Sequence, residues 1–172
     1  MKSLGHPHTK PALFVKKGEE LSVSGHLLKE LLRTVLDKGA SFRFRAKGFS
    51  MSPFIKDGDV VTVAPMLGTA PGLGDVVVFI HPHTEKLVIH RVVGKKPDSY
   101  LLKGDNFPDD DDFVPKANIL GHVAKVERDG KSIFLGLGLE RFLIAFLTRR
   151  RLLPLLVPVW RLVRLIIGRS AL

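Results

Sequence analysis

The chain has 172 residues, no cysteine and a formal net charge of +10. That length supports one domain with a real core, and the missing thiols exclude a disulfide framework, a thiolate zinc site and a cysteine nucleophile. The charge is uneven: residues 139–172 hold seven arginines and one acid, Glu140, a basic and apolar balance that suits an anionic membrane surface better than DNA.

Residues 1–20 read as a mobile arm. They lack the apolar run of a secretory signal, and the His6-Pro7-His8 pair falls short of the three or four ligands a metal site needs, so no metal is expected. Gly25–Lys38 has helical periodicity. Leu27, Leu28, Leu31, Leu32, Val35 and Leu36 form one apolar stripe and the charged residues take the other face. Ser24 suits the start and Gly39 the end.

From Ala40 to about Leu135 the pattern turns to strands. Ser41–Arg45 alternates with period two. Short β-branched runs follow at 59–64, 75–80, 87–93, 100–103, 121–127 and 132–135. Gly-Asp, Pro-Gly and Asp-Gly pairs punctuate them, and His81–Thr84 reads as a turn. The expected fold is mostly β, a rolled antiparallel sheet or barrel with one N-terminal amphipathic helix.

The tail has two apolar segments, 142–147 and 152–167, around Thr148-Arg149-Arg150-Arg151, with Trp160 as an interfacial anchor. No stretch approaches the ~20 apolar residues of a spanning helix. Two short basic, apolar helices lying in the membrane interface are expected, with docking onto a partner or onto the domain itself as the alternative. The chain thus divides into an arm (1–20), a β domain (21–137) and a membrane-interface segment (138–172). Without an export signal, a peripheral position on the cytoplasmic face is expected, with export-side placement as the alternative.

The chemistry centres on Ser50. Gly48 gives its loop conformational freedom and Pro53 stiffens the exit. A hydroxyl held on a stiff loop can be aimed as a nucleophile. Two bases compete for its proton. His90 ends the apolar run Leu87-Val88-Ile89, and Lys86 lies four residues earlier on the same strand face. Asp105 follows Gly104 and would orient His90. The run Asp109–Asp112 reads as a solvated loop, with cation binding the weaker reading.

The ordered segments Ser50-Met51-Ser52-Pro53, Gly58-Asp59-Val60-Val61, Gly74-Asp75-Val76-Val77, His90-Arg91-Val92-Val93-Gly94 and Gly104-Asp105-Asn106 resemble the boxes of type I signal peptidases and of the related self-cleaving repressor proteases. The resemblance spans about residues 40–127. Where most bacterial members carry a lysine before Arg-Val, this chain has His90, similar to the archaeal and endoplasmic-reticulum subtype. It implies a mostly-β fold, no cofactor, and endoproteolysis through a Ser50 acyl-enzyme with His90 as base and Asp105 steadying it. On this register Lys86 falls outside the box. A second aspartate of that subtype would fall on Asp110 or Asp111. The Ser50 backbone N–H would serve the oxyanion, and Met51 and Pro53 would lie beside the substrate. Gly48 departs from relatives that carry a hydroxyl residue there. Relatives usually carry an N-terminal membrane anchor, which residues 1–20 are not expected to supply, and the sequence holds no Ala-Gly or Cys-Gly bond for self-cleavage. The expected partners are a peptide or protein substrate and an anionic membrane surface met through residues 139–172, with no nucleic acid. The alternative is a catalytically inactive module that binds a peptide or partner at the membrane.

Overall fold

The computed structural model describes residues 25–107 and 113–152. The arm, the acids at 109–112 and the second tail segment therefore lie outside the described residues, as do the Ser24 cap, Asp110 and Asp111.

Helix α1 (Gly25–Asp37) opens the described chain and ends at Gly39. There a left-handed φ of +74° lets the Gly39 and Ala40 N–H groups bond back to Leu36 and Val35 carbonyls. Only part of its leucine stripe is covered. Leu32 and Leu36 enter the core, while Leu27 and Leu31 are 50% and 41% exposed.

The strands are β1 (Phe42–Arg45), β2 (Val60–Ala64), β3 (Val76–Ile80), β4 (Leu87–Lys96), β5 (Ser99–Lys103), β6 (Phe113–Pro115), β7 (Ile119–Arg128) and β8 (Lys131–Ile133). They form one antiparallel sheet in the order β1-β2-β7-β3-β4-β5-β6, with β8 added on β7. The mostly-β, antiparallel architecture agrees with expectation, but the sheet is not closed. β6 is the strand the sequence did not announce: three residues ending in proline have no periodicity to read, and pairing with β5 alone defines them.

The central run Val76-Val77-Val78-Phe79 is buried on both faces, which is why it is continuously apolar rather than alternating. Val76 and Val78 face α1 together with Val61, Val63, Leu32 and Leu36. Val77 and Phe79 face the other way, onto Val92, Tyr100, Leu102 and Val114. Each fully buried Leu or Val contributes about 1.5–3 kcal/mol.

Two features of the sheet prepare the site. β4 pairs with β3 through Leu87–Arg91 and with β5 from Arg91 onward, so the outer edge of residues 87–90 has no strand beside it among the described residues. Among the described residues β1 pairs only with β2. These two edges bound an open seam.

Helix α2 (Arg141–Arg149) packs on β4 through Ile144, Ala145 and Thr148. The first tail segment is thus docked onto the β domain. Among the described residues no helix is long and apolar enough to cross a membrane.

Candidate active site

Ser50 lies in the loop between β1 and β2. That loop is closed at its neck by bonds from Ala46 N–H to the Asp59 carbonyl (2.8 Å) and from Gly58 N–H to the Ala46 carbonyl (2.9 Å). Inside it, Gly48 has a φ of +97° and donates its N–H to Asp57 Oδ1 at 2.8 Å. Ser52, Phe54 and Ile55 N–H groups fold back onto Phe49 and Met51 carbonyls. Much of the loop's backbone hydrogen bonding is therefore internal to it.

His90 comes from β4, is 8% exposed, and stacks at a tilt 5.8 Å from the Phe79 ring. Gly104 joins it to Ser50. A Cβ placed on Gly104 would sit 3.1 Å from His90 Nε2, 3.2 Å from Ser50 Cβ and 2.9 Å from the Ser50 carbonyl oxygen. Serine and histidine therefore converge on one small volume, which the missing side chain of Gly104 leaves open. Gly104 is required by space, since its φ lies outside the left-handed region. No hydrogen bond joins the Ser50 hydroxyl to His90 among the described residues, as is common for a nucleophile and base without substrate.

Asn106 clamps the same place. Its N–H donates to the Ser50 carbonyl at 2.8 Å and its Nδ2 to the Phe49 carbonyl at 3.4 Å. The Gly104-Asp105-Asn106 segment thus holds the serine loop against β4.

Asp105 does something other than expected. Its carboxylate accepts Arg91 Nε on Oδ1 at 2.9 Å and Arg91 Nη2 on Oδ2 at 2.7 Å. Thr148 Oγ1 donates to Oδ1 at 3.0 Å. Arg91 Nη1 donates to the Gly74 and Gly136 carbonyls. Both charged side chains are fully buried, so the pair needs this complete set of bonds to offset its desolvation. Asp105 therefore anchors Arg91 and α2 rather than orienting His90. The reason is strand alternation: His90 and Arg91 point to opposite faces of β4, and Asp105 lies on the Arg91 side.

The alternative base is also displaced. Lys86 is exposed in the turn before β4, where its carbonyl accepts the His81 N–H. Four residues of strand place it about 13 Å from His90. Lys103 precedes Gly104 and is 3% exposed, but it pairs with Arg91 and so shares that face rather than His90's. Met51, expected beside the substrate, is 4% exposed in the core cluster; it fixes the loop from beneath. Pro53 is half-buried on the same loop.

The three Gly-Asp dipeptides share one construction. Asp59 accepts Arg128 Nε and Nη2 at 2.8 and 2.7 Å. Asp75 pairs with Arg141 at 3.0 Å, and Asp105 with Arg91. Burial pushes the Asp59 carboxyl up, but the Arg128 hydrogen bonds and charge and the Lys56 N–H prevail, holding it below its ordinary 3.8. The sequence marked Gly104 and Arg91 only as members of their boxes. It gave no signal for Thr148, which sits in a leucine- and arginine-rich tail.

The family model described as Peptidase S24-like matches residues 11–124, which include Ser50, His90 and Gly104–Asn106. No curated protein matches the chain.

Proposed function

The chain belongs to the Peptidase S24-like family, and on that premise we propose that it is a serine endopeptidase, signal-peptidase-like in its Ser-His chemistry, acting on an extended peptide. The observation that carries this is the convergence of Ser50 Cβ and His90 Nε2 on the volume left open by Gly104. In the reaction, Ser50 Oγ attacks the scissile carbonyl while His90 Nε2 takes its proton. Nε2 then delivers that proton to the leaving amine, and an acyl-enzyme forms. Water, deprotonated by the same nitrogen, releases the acyl group. The Ser50 N–H would serve the oxyanion; among the described residues no backbone carbonyl accepts it.

The open seam supplies the peptide track. Between β1 and residues 87–90 lies a cavity of about 540 Å³, walled by Phe44, Leu87, Ile89 and Leu28 and edged by Lys47 and Lys86. A peptide added as a strand to either edge would bond through its main chain. Along β4 it would run toward His90, the last residue of that free edge.

The inactive binding module remains the rival reading, favoured by the commitment of Asp105 to Arg91. A fluorophosphonate probe separates the two. The expected result is labelling of Ser50 in the parent and loss of labelling and peptide cleavage, by about 10³-fold or more, in Ser50→Ala and His90→Ala. A folded parent that takes no label but binds extended peptides would establish the module instead.

A further inference from the structure

We propose that the outer face of α2 docks this protein on an anionic lipid bilayer. The helix carries two apolar stripes. One, Ile144, Ala145 and Thr148, is buried on the body. It is fixed there by Thr148 on Asp105 (3.0 Å) and by Arg149 Nη1 on the Val93 carbonyl (3.2 Å). The other points outward: Phe142, Leu143 and Phe146 are 46%, 61% and 53% exposed, and Leu139, just before the helix, is 86% exposed. A helix lying on a water-facing body is polar on its outer side. A contiguous apolar patch in that place marks an interaction surface.

Charge selects the occupant. Arg150 and Arg151 follow the patch in sequence, Arg141 and Arg149 flank it while also bonding Asp75 and the Val93 carbonyl, and Glu140 is the one acid in residues 139–152. The Glu140 carboxylate is turned back onto the Gly136 and Gly138 N–H groups at 2.7 and 3.0 Å. The guanidinium groups of Arg141 and Arg150 lie 5.1 and 5.6 Å from the Phe142 and Phe146 ring centres, so cation and apolar surface are interleaved. A second copy of a chain with net charge +10 would be repelled at such a surface. A bilayer with anionic headgroups accepts both components: phosphates take the guanidinium groups, and the Phe and Leu side chains sink beneath them.

Nine residues of helix, about 13 Å long, lie in the interface rather than cross it. The sequence beyond residue 152 continues the composition, with Arg161, Arg164 and Arg169 and no acid. α2 falls outside the family-matched residues 11–124. Because the inner stripe holds Asp105, docking would fix the catalytic body at a set orientation to the lipid.

The test is co-sedimentation of the full chain with phosphatidylcholine vesicles, with and without phosphatidylglycerol. Pelleting is expected only with phosphatidylglycerol. The double variant Leu143→Glu/Phe146→Glu should lower partitioning at least about tenfold, and Arg150→Gln about fivefold. Both alter exposed side chains, and a thermal melt checks that they fold; should the double variant not fold, Arg150→Gln and Phe142→Gln carry the same test. Variants that pellet like the parent would overturn the proposal, since residues beyond 152 would then be the anchor. Equal binding to neutral vesicles, no pelleting at all, or self-association without vesicle binding would overturn it too.

Discussion

Gly104→Ala tests the geometry of the site most directly. The new methyl group would arrive 2.9 Å from the Ser50 carbonyl oxygen, 3.1 Å from His90 Nε2 and 3.2 Å from Ser50 Cβ. Two of these neighbours belong to the serine loop, which Asn106 N–H already grips at 2.8 Å, so the loop has little room to retreat. The backbone of Gly104 lies outside the left-handed region, so conformational strain adds nothing and the effect is steric. Overpacking of this kind costs about 1–3 kcal/mol of stability. Pushing Ser50 and His90 apart by a fraction of an ångström to one ångström lowers turnover by about 10²-fold. Both are measurable: stability by denaturant titration, and kcat/KM on a peptide cleaved by the parent. The loss should fall mainly in kcat, because the methyl group fills the reacting volume and not the seam between β1 and β4. Parental kcat/KM in a variant of parental stability would refute the convergence of Ser50 and His90 at Gly104.

Three further outcomes are expected. Lys86→Ala should leave kcat within about twofold of the parent, because the lysine lies about 13 Å of strand from His90; a loss near 10³-fold would make it the base. Thr148→Val keeps the shape and removes the donor to Asp105, so stability should fall by about 1.5–3 kcal/mol, the range for hydrogen bonds to charged groups. An unchanged denaturation midpoint would show that α2 does not secure the catalytic body through this bond. The Asp59 carboxyl is held below 3.8 in the folded protein. Its ion pair with Arg128 is therefore complete above about pH 4 and is lost as pH falls through the folded value. Asp59→Asn should flatten part of the parent's loss of melting temperature on acidification below pH 4, and an identical acid slope in the two proteins would exclude that role.

Local physics in the sequence determined a large part of this protein. The leucine periodicity with Gly39 behind it set α1, and the β-branched runs between Gly-Asp and Asp-Gly turns set seven of the eight strands. Ser50 and His90 stood out as candidates because a nucleophile loop and a base each demand a particular residue type at a marked place, whereas Gly104 was marked only as a member of its box. Tertiary structure decided what depends on residues far apart in the chain. Strand alternation turned Asp105 toward Arg91 and away from His90, and strand length set Lys86 about 13 Å along the chain from His90. Packing buried Met51 beneath the loop. The partners of the three Gly-Asp carboxylates, Arg128, Arg141 and Arg91, lie 69, 66 and 14 residues from them, and no periodicity links such positions. Thr148 joined the site for the same reason: α2 looks in sequence like a uniform greasy, basic tail, and only docking on β4 separated its buried stripe from the one it presents outward.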